Sequence, residues 1–207
     1  MESVREIVKT NLNSIEGWCP LEKSMYMIDL IEQNQLDSYI ELGVYCGRSL
    51  FPVALAMKHL VSNPHIVGVD SWNLTNTLQG IPDQQKDVHR DSWWSRLDHN
   101  KLYLYTIGVM KKFNVDRVVH LIRTSSLDYV QFVESKSISM LHQDSNHSTE
   151  ISLGEVDAYY DKVKIGGFWV FDDTDWESTK PAQNKLELYG YTCIHDASIW
   201  KVYRRYK

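Results

Sequence analysis

Few of the usual markers of a specialised protein occur in this chain of 207 residues. No basic run is longer than Arg204-Arg205, and the net charge is −5. Electrostatics therefore gives no footing for nucleic acid or an anionic membrane surface. The three cysteines, Cys19, Cys46 and Cys193, are scattered without C-x-x-C or zinc spacing. That excludes a disulfide scaffold and points to reducing, cytoplasmic surroundings. No apolar stretch approaches the ~18 residues of a membrane span. The polar opening M-E-S-V-R-E-I-V has no apolar core, so no signal peptide is expected. Repeats and low-complexity tracts are missing as well.

What is present is a chain of ordinary globular composition, 43% hydrophobic and 24% charged, long enough to bury a core in one domain spanning 1–207. Its periodicity alternates between two patterns. Leu21, Met25, Ile28 and Ile31 recur at helical spacing and predict a helix at about 20–33, within an N-terminal helical segment of residues 1–34. Strands are predicted at 39–43, 66–70, 118–123, 137–144 and 168–171. Helices are expected between them at about 50–61, 100–113, 126–133 and 148–163, with another at 181–189. A hairpin turning at 196–198 closes the chain. Strands alternating with helices predict a doubly wound, mostly parallel α/β sheet with an antiparallel C-terminal hairpin. Residues 71–98 are polar, carry Gly80, Pro82 and Trp93-Trp94, and read as a lid or substrate-side insertion.

Four of these strands end in, or carry, a carboxylate: Glu41, Asp70, Asp144 and Asp172-Asp173. A carboxylate beside apolar strand residues needs a partner, and the ligand crevice of a parallel sheet lies beyond its carboxyl ends. The segment E-L-G-V-Y-C-G-R-S (41–49) places Gly43 and Gly47 in a strand-to-helix turn. Its G-x-x-x-G spacing is not the G-x-G-x-x-G of dinucleotide folds, and it has no P-loop Lys-Ser/Thr. Taken alone, it is equally an ordinary glycine turn. Asp70 ends the next strand, where a carboxylate would grip ribose hydroxyls. Together the two read as a nucleoside site.

With V-G-V-D-S-W (67–72), H-Q-D-S-N-H-S-T-E (142–150), G-G-F-W-V-F-D-D-T-D-W (166–176) and E-G-W-C (16–19), the chain resembles the class I S-adenosylmethionine-dependent methyltransferases. Within them it is similar to the branch holding metal-dependent sugar O-methyltransferases and cephalosporin-hydroxylase-like proteins. The resemblance spans about residues 16 to 200. It implies a Rossmann-like seven-stranded sheet and S-adenosylmethionine as cofactor. Glu41, Gly43 and Gly47 would line its methionine part, with Arg48 and Ser49 nearby. Asp70 would take the ribose, Ser71 and Trp72 would border the adenosine, and Ser125 or Ser126 would meet the adenine. Trp72 is equally readable as a core aromatic.

The same resemblance implies Mg²⁺ held by Asp144, Asp172 and Asp173, with Asp144 also close to the cofactor. Such an ion would lower the pKa of an acceptor hydroxyl. The branch's general base falls at Asn146, and an amide cannot accept that proton. His147 is the substitute candidate, with Asp144 beside it; a helix-start role for His147, and a capping role for Asp172-Asp173, stay open. Ser145 and Gln143 also depart from the branch's glycine and apolar residue. His89, Trp93, Trp94, His99 and Trp176 could rim the substrate. The expected partner is a small-molecule or glycan acceptor, with homo-oligomers an open question. A cephalosporin-hydroxylase-like oxidoreductase and an inactive nucleoside-binding module are the alternatives.

Overall fold

Period-two alternation along the strands decides what each face of the sheet meets. In the computed structural model, which describes residues 1–80 and 96–207, the strands are β1 (Ser38–Leu42), β2 (His65–Asp70), β3 (Val119–Arg123), β4 (Ile138–Gln143), β5 (Val163–Asp172), β6 (Tyr191–Asp196) and β7 (Trp200–Arg205). They form one sheet of order β3-β2-β1-β4-β5-β7-β6. β1 to β5 run parallel, and β7 is antiparallel to β5 and β6. The helices are α1 (Glu2–Asn11), α2 (Leu21–Asn34), α3 (Leu50–Leu60), α4 (Leu74–Thr77), α5 (His99–Lys112), α6 (Ser126–Tyr129), α7 (Thr149–Tyr159) and α8 (Lys180–Leu188). This is the doubly wound α/β architecture with a terminal hairpin that the alternation predicts. None of the described helices is long and apolar enough to cross a membrane.

Tyr39, Ile66, Met140, Phe168 and Val170 share a buried cluster with Val8, Met27, Ile31, Phe51 and Ala54 of α1, α2 and α3. Ile40, Leu42, Val67, Leu141, Trp169 and Phe171 belong to the opposite cluster, with Val156 and Tyr159 of α7 and Ala182 and Leu186 of α8. Glu41 and His142 are register partners on adjacent strands. By alternation both lie on the α2 side, beyond Tyr39 and Met140, and both are fully buried. A polar row thus ends one half of the core, directly beneath the sheet's carboxyl edge.

The boundaries before β5 and the buried face of α2 differ from expectation. The helix expected to reach Val163 stops at Tyr159, and β5 starts at Val163 rather than Phe168. The cause is a bulge: Ile138 pairs with Val163, but Met140 pairs with Phe168. Gly166 takes a left-handed φ of +85°, and a Cβ on Gly167 would lie 2.9 Å from the Ser139 carbonyl oxygen. The two glycines let the strand bulge instead of interrupting it. The buried stripe of α2 is also rotated from the expected Leu21, Met25, Ile28, Ile31 set. It carries Lys23, Ser24, Met27, Ile28, Leu30 and Ile31, while Leu21 is exposed. Within the expected lid, residues 71–80 (with α4) and 96–98 are described, whereas 81–95, with His89, Trp93 and Trp94, lie outside the described residues.

Trp169 is fully buried, and its indole N–H donates to Gln143 Oε1 at 3.1 Å. Trp169→Phe keeps an aromatic ring but strands that buried oxygen, so urea unfolding should show a loss of about 1–3 kcal/mol. Unchanged stability would show that the bond adds nothing.

Candidate functional site

The strand order reverses between β1 and β4, which opens a crevice at their carboxyl ends. A cavity of about 900 Å³ fills it, walled by the turns after β1, β2, β3, β4 and β5 and by residues 16–23. Three non-glycine residues on its wall adopt left-handed backbone: Tyr45 (φ 50°), Trp72 (φ 40°) and Asp173 (φ 50°). Such conformations persist only where surroundings hold them. Here the holding is mutual: the Trp72 indole N–H donates to the Tyr45 carbonyl at 2.9 Å, and the Thr106 hydroxyl donates to the same oxygen at 2.7 Å. Gly43 is obligatory for a different reason. A Cβ there would stand 2.1 Å from the Asp144 carbonyl oxygen, and its φ is +87°, so the β1 and β4 turns touch only because position 43 has no side chain.

Asp70 sits at the β2 end of the cavity. The backbone N–H groups of Val44 and Tyr45 donate to its Oδ2 at 3.0 and 2.9 Å, and that of Trp72 to Oδ1 at 2.7 Å. Burial raises its pKa, against those donors and His99, which lower it. The carboxylate is locked in place with lone pairs to spare. His99 lines the same cavity, and its buried Nε2 has no hydrogen-bond partner among the described residues. An orphaned ring nitrogen beside a fixed carboxylate suits a polar nucleoside. Ser71, Trp72, Ser125 and Ser126 also line the cavity; the Ser125 hydroxyl caps α6 and donates to Asp128 at 2.6 Å.

Other residues expected at the cofactor take different places. Glu41 is buried beneath the cavity floor and does not line it: the Tyr39 and Ser49 hydroxyls donate to its carboxylate, the latter at 2.8 Å. Gly47 does not line it either, packing toward Met110 at a φ of +80°. Arg48 reaches the wall, but its guanidinium holds residues 13–19 through the Cys19 and Ile15 carbonyls and Asn13. Alternation along β1 and the return of the N-terminal segment explain these differences.

On the acceptor side the three aspartates expected around an ion divide between two partners. Asp172 pairs with the ammonium of Lys23, a fully buried residue of α2. Asp173 instead meets His147, whose Nε2 lies 2.8 Å from its Oδ2. Two sets of three ligand atoms come within 4.8 Å among the described residues, His142-Asp144-Asp172 and Asp144-His147-Asp173. Neither holds all three aspartates, and the first contains Lys23, 3.5 Å from His142 Nε2. Magnesium favours oxygen ligands in near-ideal octahedral array. An imidazole in each set and an ammonium in one do not fit that ion.

The charges are mutually set. Burial opposes the Lys23 charge, but Asp172, Cys19 and Asp144 together outweigh it and hold the ammonium above its ordinary range. Burial likewise opposes ionisation of Asp172, and Lys23 and His142 hold it well below the carboxylate range. Burial, then Asp172, raises Asp144 well above that range. Burial and Lys23 pull His142 down, while its bonds to Asp172 and Glu41 win and raise it.

Asn146, where the resemblance puts the base, is wholly engaged in structure. Its amide donates to the carbonyls of Asn76, Thr77 and Gln79 at 2.8–2.9 Å and accepts from Ser148 N–H at 2.8 Å. It pins the α4 region onto the β4 turn. His147 lines the cavity, with Trp176 edge-on to it at 5.2 Å. Gln143 and Ser145, the other two departures, share one cause: both donate to Glu155, a buried acid of α7. Sequence reasoning missed Lys23, His142 and Glu155. The signal for Lys23 lay in its spacing from Met27 and Leu30 along one helical stripe.

Comparison with known proteins places this geometry. Residues 40–174 match the family model described as a methyltransferase domain. No curated protein matches the chain by sequence. Among solved structures, the O-methyltransferase NovP is 18% identical at a TM-score of 0.64, covering 90% of this chain and 79% of its own. TomG from Streptomyces achromogenes, an O-methyltransferase of tomaymycin synthesis in complex with SAM, is 11% identical at 0.65, covering 92% and 82%. An O-methyltransferase from Bacillus cereus in complex with SAH is 11% identical at 0.62, covering 98% and 91%. At these identities the likeness establishes the fold.

Two outcomes follow from the acids and amides at this edge. Asn146→Asp turns a carboxylate on three carbonyls, so urea unfolding should show a loss of about 1–3 kcal/mol, and limited proteolysis should cut faster within 71–80. Equal stability and protection would contradict the pinning role. Burial pushes Glu155 up to about 7 from an ordinary 4.5, against donors that lower it. The folded state therefore holds a proton that the unfolded chain releases across this interval, and stability falls as pH rises from 4.5 to 7. In thermal melts over that interval Glu155→Gln should flatten the decline; an unchanged slope would assign it to other groups.

Proposed function

The chain belongs to the methyltransferase-domain family, and we propose that it transfers the methyl group of S-adenosylmethionine to a hydroxyl of a small molecule, a sugar or a similar ring. The observation that carries this reading is the single cavity joining a fixed carboxylate and an orphaned histidine, Asp70 and His99, to a histidine–carboxylate pair, His147 and Asp173. SAM and SAH in the TomG and Bacillus cereus structures of the same fold support the choice of donor.

S-adenosylmethionine supplies a methyl group on a sulfonium, already activated toward an attacking oxygen. In this reading Asp70 accepts from the ribose hydroxyls and His99 adds a ring nitrogen on the same side. Gly43 holds the β1 and β4 turns in contact where they wall the cofactor's amino-acid end. His147 takes the acceptor's proton, and Asp173, 2.8 Å from its Nε2, orients the ring and stabilises the cation formed. The rest of the barrier is lowered by placement in line with the sulfonium. Magnesium assistance, expected from the three aspartates, is not carried into this reading because Lys23 already holds Asp172. An iron oxygenase is not favoured either: each ligand set offers one histidine and two carboxylates, not two histidines and one carboxylate.

Trp18 and Tyr45 stack at the cavity wall with ring centroids 5.3 Å apart, and Trp18 is exposed. With Trp176, they give the acceptor flat surfaces, which suits a ring-shaped hydroxyl compound.

Titration calorimetry with S-adenosylhomocysteine tests the reading first: saturable binding that Asp70→Asn weakens is expected, and no binding by the wild type would sink it. With an accepted hydroxyl compound in hand, His147→Ala should lower the rate of methyl transfer about 10²–10⁴-fold while leaving calorimetric affinity for S-adenosylhomocysteine unchanged. Full activity in that variant would remove His147 as the base.

A further inference from the structure

We infer that Lys23 is the built-in cation of the acceptor site, standing where a divalent ion would otherwise bridge Asp144 and Asp172, and that it excludes such an ion from that position. The inference rests on the methyltransferase reading for its role, though not for its geometry.

Four carboxylates gather at this edge of the sheet. Glu41 and Asp172 flank the His142 ring, with contacts of 3.4 Å to Nδ1 and 3.3 Å to Nε2, and Asp144 is 4.0 Å from Nε2. Asp173 turns away to His147. A cluster of acids alone says nothing about a ligand. The informative feature is the ammonium inside it. Lys23 is 2% exposed, arrives from a different element on the buried stripe of α2, lines the cavity, and donates to Asp172 beside His142. A lysine is rarely buried this deeply unless its charge is paired. A divalent ion bridging Asp144 and Asp172 would sit a few ångströms from that ammonium, and Asp172 would have to share one carboxylate between two cations. The ammonium does part of the ion's electrostatic work: it keeps Asp172 ionised and fixed, and so sets the field in which Asp144 and His147 meet an acceptor. Lys23 is thus a positioning residue acting through Asp172.

The test needs no acceptor. The full-length wild type, Lys23→Met, and the double variant Lys23→Met with Asp172→Asn are freed of metal and titrated with Mn²⁺, read by loss of the free-ion electron paramagnetic resonance signal. The wild type should bind Mn²⁺ weakly, Lys23→Met at least tenfold more tightly, and the double variant should return to the wild-type level. A merely structural lysine would not produce this gain and its cancellation. Wild-type binding as tight as that of Lys23→Met, or no gain in that variant, overturns the inference. Should Lys23→Met fail to fold, wild type and Asp172→Asn decide: tight wild-type binding that Asp172→Asn abolishes overturns the inference, and weak binding by both supports it. Calorimetry with S-adenosylhomocysteine on the same samples reports separately on the methyltransferase reading, so the two can fail independently.

Discussion

A carboxylate taken out of water at the end of a strand has to meet donors or an opposite charge, and this requirement organises the site. Each acid on the carboxyl edge meets it differently. Asp70 takes three backbone N–H groups. Glu41 takes two hydroxyls and the edge of His142. Asp172 takes an ammonium and Asp173 an imidazole. Breaking a buried pair by removing one partner costs far more than the pair gains, so Lys23 and Asp172 bind α2 to the end of β5. That anchor fixes the wall of the cavity on the side where an acceptor would enter.

The crevice then divides by chemistry. At the β2 end the Asp70 carboxylate is fixed by backbone donors, so hydroxyls can be read without moving the protein. At the β4 and β5 ends the groups are charged, close and interdependent, because the charge on Lys23 sets the ionisation of Asp172, which in turn pushes Asp144 upward. Between them Gly43 lets two strand-end turns touch. The left-handed residues Tyr45, Trp72 and Asp173 all stand on the cavity wall, so its shape is held by hydrogen bonds rather than by relaxed backbone.

Much of the architecture was legible, because strands buried on both faces leave continuous apolar runs and helices leave apolar stripes. The bulge at Gly166-Gly167 was not, since a glycine pair before an apolar run equally reads as a strand start. The acids were visible one by one at their strand ends, but their partners were not. Glu41 drops below the floor because alternation along β1 turns it toward α2, and its hydroxyl donors come from Tyr39 and Ser49. Asn146 looked like a lost base until the three carbonyls of 76–79 came into reach, a contact across 67–70 positions of chain. Lys23 was hidden because a lysine in a helix is ordinarily solvated, and only its spacing from Met27 and Leu30 placed it inward.

The most direct test of the whole account is a crystal structure of the protein grown with S-adenosylhomocysteine and Mg²⁺. The account predicts the ribose on Asp70, the sulfur facing His147, and the Lys23 ammonium still on Asp172 with no metal density beside it. Octahedral density shared by Asp144, Asp172 and Asp173 with Lys23 displaced, or a crevice without the nucleoside, would contradict it.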